Sequence, residues 1–87
     1  MVEAADTSSE AVFNQVVDVL VDELGVPRSK ITPESHVFRD LGLDSLDLMT
    51  AVTLFEGRFG VTILDEDIGH MVVVQDAADV VLSKVRS

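Results

Sequence analysis

The chain has 87 residues, no cysteine, and sixteen acidic against six basic residues, a formal net charge of −10. That length holds one domain with a small core. The absence of cysteine excludes a disulfide framework, a thiolate nucleophile and cysteine-ligated zinc, and the charge makes nucleic acid a poor partner and a basic protein surface a better one. Hydrophobic content of 47% argues against a disordered acidic tail, and the only aromatics are four phenylalanines, so the expected core is aliphatic.

The opening stretch, Met1-Val2-Glu3-Ala4-Ala5-Asp6, is acidic and lacks the basic and apolar regions of a signal peptide. No apolar run approaches the ~20 residues of a membrane span, so a cytoplasmic protein without stable membrane insertion is expected. Thr7-x-x-Glu10 is a candidate capping box, with Ser8 or Ser9 as alternative caps. Phe13, Val16, Val17, Leu20 and Leu24 then mark one helical face, which predicts a helix over about 8–24. Gly25 stops it and Pro27 prevents its resumption. Valine is only a modest helix former, so packing must hold this helix more than propensity does.

Residues 25–43 read as a long connection, anchored by Ile31, Val37 and Phe38, with a short helical turn near 34–38 left open. It leads into Asp40-Leu41-Gly42-Leu43-Asp44-Ser45-Leu46-Asp47. Asp44 reads as an N-cap and Ser45 as the first residue of a helix over about 45–59. Apolar spacing at Leu46, Met49, Val52, Phe55 and Phe59 supports that start, with Val52, Phe55 and Phe59 as the surest inward positions. Leu46, Leu48 and Met49 cannot all face inward. Either one joins the core and the others are scattered surface residues, or Leu46 and Met49 form an exposed rim. Gly57 costs the helix roughly 1 kcal/mol relative to Ala, and Gly60 ends it.

Val61-Thr62-Ile63 has strand propensity but no partner, so an extended connector with Ile63 buried is expected. Asp65 is placed as the cap of a short helix over about 66–70. Met71-Val72-Val73-Val74 again favours a strand. The apolar positions 74, 77, 78, 81, 82 and 85 are helically spaced, which predicts a last helix over about 74–85 with Asp76 in its first turn. The predicted core is Phe13, Val16, Val17, Leu20, Val52, Phe55, Phe59, Ile63, Val74, Ala78 and Val81. The fold class is therefore all-α: a small antiparallel four-helix bundle with a long first connection and a short third helix, one domain structured over about 8–85.

Ser45 presents a hydroxyl at a helix N-terminus, a place suited to an attached phosphate. Alone, a serine beside a capping aspartate is ordinary helix-start chemistry. No histidine stands at a local spacing and no G-x-S-x-G elbow is present, so a hydrolase nucleophile is unsupported. Asp65-Glu66-Asp67 lacks the spacing and glycine of an EF-hand and reads as a solvated helix start. His36 and His70 are isolated, so no metal site is expected. Phe38 and Phe59 are read as core.

The longer pattern Phe38-x-Asp40-Leu41-Gly42-x-Asp44-Ser45-Leu46, then Leu54-Phe55-Glu56, Phe59-Gly60, Ile63, Asp65-Glu66-Asp67 and Val74-Gln75-Asp76-Ala77, resembles acyl carrier proteins. The likeness extends over roughly residues 8–85. It implies that Ser45 carries 4′-phosphopantetheine, whose thiol holds acyl or polyketide groups as thioesters, and that the protein is a carrier and not an enzyme. It also implies a phosphopantetheinyl transferase, ketosynthases, acyltransferases and other acyl-processing enzymes as partners of a monomer. Asp44, Leu46, Asp47, Met49 and Glu56 would form the recognition surface. Members often have proline where Leu64 stands and a hydroxyl residue near 72 or 73. Thr50 and Gly57-Arg58 replace acids usual in bacterial fatty-acid carriers, and Ser45-Leu46-x-Leu48-Met49 is closer to discrete polyketide carriers. Housekeeping fatty-acid and specialised polyketide roles both stay open. Other possibilities are a peptidyl carrier, which typically has histidine in place of Asp44, a D-alanyl carrier, and an unmodified helical interaction module.

Ten net negative charges on so small a chain repel one another, so added salt should stabilise it. Thermal melting followed by circular dichroism is expected to rise from low to moderate salt. An unchanged melting temperature would show that the charges are too dispersed to matter.

Overall fold

The computed structural model describes residues 8–86. Four α-helices follow in order: α1 (Ser9–Asp22), α2 (Ser45–Phe59), α3 (Asp65–Ile68) and α4 (Val74–Val85), with a 3₁₀ turn at Arg28–Lys30 in the first connection. The helices form the small bundle expected, with α1 lying against both α4 and α2, and α2 also touching α4. Helices α2 and α4 have the boundaries that their periodicity predicts. Gly57 lies inside α2 and does not end it.

Ser8 caps α1, its Oγ accepting the Ala11 N–H at 3.2 Å, while Thr7 lies outside the described residues. The helix closes before Leu24, with the Gly25 N–H bonded to the Val21 carbonyl and the Val26 N–H to the Leu20 carbonyl. Its buried face is Val12, Val16, Val17, Val19 and Leu20. Phe13 and Leu24, assigned to that face from the sequence, only pack at its margin, as does Phe59 at the end of α2. The core is rotated toward α4, where Ala77 and Ala78 permit close approach and Val74 and Val81 fill the gap. Phe55 is the one aromatic fully buried in it.

Helix α2 ends where Gly60 adopts φ = +68°, a left-handed conformation that any Cβ would strain. Residues 61–63 form the extended connector expected, with Ile63 buried. Helix α3 starts one residue earlier than predicted. Asp65 is its first residue and not its cap; Leu64 occupies the cap position, and Asp67 reaches back to accept the Leu64 N–H at 2.9 Å. Asp76 serves α4 in the same way, accepting the N–H groups of Val72 and Val73 at 3.1 and 3.0 Å. A carboxylate at the third helical position thus supplies what an uncapped start lacks.

The strand propensity of residues 72–73 finds a limited use. Val37 donates its N–H to the Val72 carbonyl and Val74 donates to the Ser35 carbonyl, both at 3.0 Å, around an antiparallel bridge between His36 and Val73. Ser35 is buried but satisfied: its Oγ donates to the Lys30 carbonyl at 2.8 Å and accepts the Thr32 N–H at 2.9 Å. Val26, Val37, Leu41 and Leu43 sink into the core, so the long connection is a packed element.

Asp67 also joins α3 to α4 through a 2.8 Å ion pair with Lys84. The hydrogen bond from Lys84, and then that from the Leu64 N–H, hold the Asp67 carboxyl below its ordinary range. A depressed folded-state value stabilises the fold above the unfolded-state value of about 4 and loses that contribution as pH falls through the folded value. Lys84→Met is therefore expected to melt below wild type at neutral pH, with the gap closing on acidification below about pH 4. A gap independent of pH would show that Lys84 acts through its packing alone.

Candidate functional site

The turn before α2 is built from backbone bonds and two side chains. His36 Nδ1 accepts the N–H groups of Phe38 and Arg39, each at 3.1 Å. The Asp40 carboxylate accepts the His36 N–H at 2.7 Å, while the Asp40 and Leu41 N–H groups return to the His36 carbonyl. The helical turn left open near 34–38 is thus a hydrogen-bonded turn over 37–41. Gly42 follows with φ = +72°, which reverses the chain at a place where a side chain would strain it. Buried Leu41 and Leu43 on either side pin the reversal to the core.

Asp44 is the N-cap, as expected. Its Oδ1 accepts the Asp47 N–H at 2.8 Å, and Asp47 Oδ2 accepts the Asp44 N–H at 3.2 Å. The result is a reciprocal capping box with aspartate in both positions. Asp47 is half-buried in it. Ser45 is the first helical residue, exposed, and its hydroxyl has no hydrogen-bond partner among the described residues. Buried Ser35 contrasts with it, its hydroxyl being fully engaged.

Ser45 stands at the edge of a mainly apolar recess of about 400 Å³, open to solvent. Leu48 and Met71 are its buried residues; Met49, Ile68, Gly69, Val72, Phe38 and His36 complete the lining. Three segments distant in sequence meet here: the 36–38 turn, the start of α2, and the end of α3 with the residues after it. Phe38, expected in the core, is 39% exposed and belongs to this lining. The bridge at His36 and Val73 turns it outward by directing Val37 inward instead.

Leu46, Leu48 and Met49 separate as helical geometry requires. Leu48 is buried, whereas Leu46 is 77% and Met49 46% exposed. Glu56 is differently placed from the rest of the expected surface. It is half-buried, and its Oε2 accepts the Ile63 N–H at 2.8 Å, which ties α2 to the following connector. His70 is exposed, between Gly69 and Met71 of the recess lining. Among the described residues, no three or more His, Cys, Asp or Glu side chains are grouped to hold a metal ion, and no helix is long and apolar enough to cross a membrane.

His36, Ile68, Met71 and Val72 were not assigned to the site from the sequence. The spacing of His36 and Asp40 was a usable turn signal, but the other three reach the site only through tertiary packing.

A phosphodiester on Ser45 fits this geometry. The oxygen is accessible and unpaired, and the first-turn N–H groups of Ser45 and Leu46 have no partner among the described residues. A thiol on such a group supplies the acyl-bearing chemistry that a cysteine-free chain lacks. Residues 14–80 match the family model described as a phosphopantetheine attachment site. That match runs from α1 into α4 and spans most of the chain, so the protein belongs to the phosphopantetheine-attachment family, carrier domains that bear covalent 4′-phosphopantetheine.

Proposed function

We propose that Ser45 is the attachment residue and that the protein is a discrete, non-catalytic acyl carrier. The observation that carries this is the exposed, unpaired hydroxyl at the start of α2, beside an apolar recess and inside the family match. The carrier presents acyl or polyketide groups to a succession of enzymes, and the tether raises their effective concentration at each docked active site. The recess offers apolar cover to a chain attached at its edge.

Family members work with a phosphopantetheinyl transferase and acyl-processing enzymes. Ketosynthases and acyltransferases are the partners we assign here. Their docking surface is Asp44, Leu46, Asp47 and Met49, acidic groups beside exposed apolar ones. Acidic groups of this kind steer encounter and orientation, and apolar side chains supply contact area. Glu56 extends the surface with less freedom, because one of its oxygens already serves Ile63. The protein acts as a cytoplasmic monomer in this reading. Arg39, Thr50 and Arg58 are exposed and make the surface less acidic than that of a housekeeping fatty-acid carrier, which supports a specialised polyketide role.

Wild type incubated with coenzyme A, magnesium and a phosphopantetheinyl transferase is expected to gain one arm by intact mass, and Ser45→Ala none. The exposed serine packs against little, so Ser45→Ala should keep its stability within about 0.5 kcal/mol. Arm attachment to Ser45→Ala would refute the site. Folded wild type that stays unmodified with several transferases would refute the carrier reading.

The pathway is tested with one acyl group on the wild-type carrier and on the triple variant Arg39→Glu, Thr50→Glu, Arg58→Glu. Generic fatty-acid enzymes are expected to use the wild type more slowly and the triple variant faster, most visibly at low salt. Full use of the wild type with no gain from the variant would return the protein to fatty-acid synthesis.

A further inference from the structure

We infer that His36 is a hydrogen-bond donor of the recess, and that its Nε2–H holds a carbonyl oxygen of the group tethered at Ser45. This rests on Ser45 being the attachment residue. The inference starts from the turn. His36 Nδ1 accepts two backbone N–H groups, from Phe38 and Arg39. A ring nitrogen that accepts carries no proton, so this bonding assigns the neutral imidazole's proton to Nε2.

The ring is also held in place. Asp40 grips the His36 backbone N–H at 2.7 Å, and the Phe38 ring lies 6.0 Å away, centre to centre, tilted by 50°. Turning the imidazole away would break both bonds to Nδ1. His36 borders the recess, and with Nδ1 committed to the backbone, Nε2–H is the one polar group the ring has left to offer it. That donor has no partner among the described residues.

Apart from Ser45 at the edge, the neighbouring walls are Phe38, Leu48, Met49, Ile68, Met71 and Val72, whose side chains supply no strong acceptor. A donor in apolar surroundings binds a matching acceptor more strongly than one in water, and it disfavours a ligand that leaves it unpaired. A carbonyl oxygen satisfies it, whereas a saturated alkyl segment does not. The carbonyl can belong to an amide of the arm itself or to an oxo group of the acyl cargo. Both are acceptors of the same kind within reach of one tether.

The test uses the full chain with ¹⁵N-labelled histidine, in the apo form, with the bare arm, with a saturated acyl group, and with a 3-oxoacyl group of equal length. Intact mass establishes the loading of each. The apo protein is expected to show the Nε2–H form of His36 in long-range ¹H–¹⁵N spectra. Loading should shift its Nε2–H resonance downfield and slow its exchange with water. A shift already complete with the bare arm places the acceptor on the arm, where a ¹³C-labelled amide carbonyl that moves with it identifies the amide, and an unmoved carbonyl with a shifted ³¹P signal overturns the carbonyl assignment in favour of the phosphodiester; a shift confined to the 3-oxoacyl form identifies the cargo. His36→Asn keeps an oxygen able to accept the Phe38 and Arg39 N–H groups, so it should preserve the fold. It should erase any difference in the Met71 and Val72 signals between oxo and saturated forms. The Nδ1–H tautomer in the apo protein, or no His36 movement in any fully loaded form, overturns the inference. Failure to load at all overturns the attachment of the arm and the inference with it, and mass alone distinguishes that case.

Discussion

The pairing between the long first connection and the residues entering α4 sets the geometry of everything around Ser45. The hydrogen bonds from Val37 to the Val72 carbonyl and from Val74 to the Ser35 carbonyl satisfy backbone groups that burial would otherwise leave unpaired. Once they form, Val37 faces inward and Phe38 outward. The turn over 37–41 then approaches the end of α3, and α2 starts at a defined place between them. The recess is a consequence of this pairing, since its walls come from both partners and from α2. A helical bundle with a slack first connection would have the same helices and no such site.

The acidic composition has a second meaning beyond net charge. Asp40, Asp44, Asp47, Glu56, Asp67 and Asp76 each accept a backbone N–H at a turn, helix start or connector. Helices α2, α3 and α4 are all entered with an aspartate reaching back from the third helical position. Bonds of this kind are charge-assisted and favoured by the helix dipole. They work locally against the mutual repulsion of so many carboxylates. They also restrict what the acids can offer a partner, and Glu56 is the clearest example, with one oxygen already engaged in the connector.

The apolar surface is unevenly distributed in a way that bears on function. Of the five large exposed apolar side chains among the described residues, Phe38, Leu46, Met49 and Val72 gather around the start of α2 or the recess beside it, and the fifth, Leu64, stands at the cap of α3. Exposed apolar groups that cluster mark a contact surface more often than scattered ones do. Here they surround Ser45, the attachment residue proposed above, and in that reading tether, cover and docking surface occupy one end of one helix.

The sequence by itself determined the extents of α2 and α4 and placed Ser45, the proposed attachment residue, at a helix start. Periods of 3.6 in the apolar residues delimited α2 and α4, and the Asp44-Ser45 pair marked a helix start without reference to anything distant, because capping is a contact between near neighbours. Conflicting signals arose where a local preference met a distant partner. Val72 and Val73 favour a strand, and only the 35–37 segment gives them something to pair with. On α1 the spacing identified Val16, Val17 and Leu20 as buried, and tertiary structure alone put Val12 and Val19 beside them in place of Phe13 and Leu24. It alone turned Phe38 out of the core and brought His36, Ile68, Met71 and Val72 to Ser45. Period and capping report on neighbours along the chain, whereas a recess is made by segments that meet only after the chain has folded.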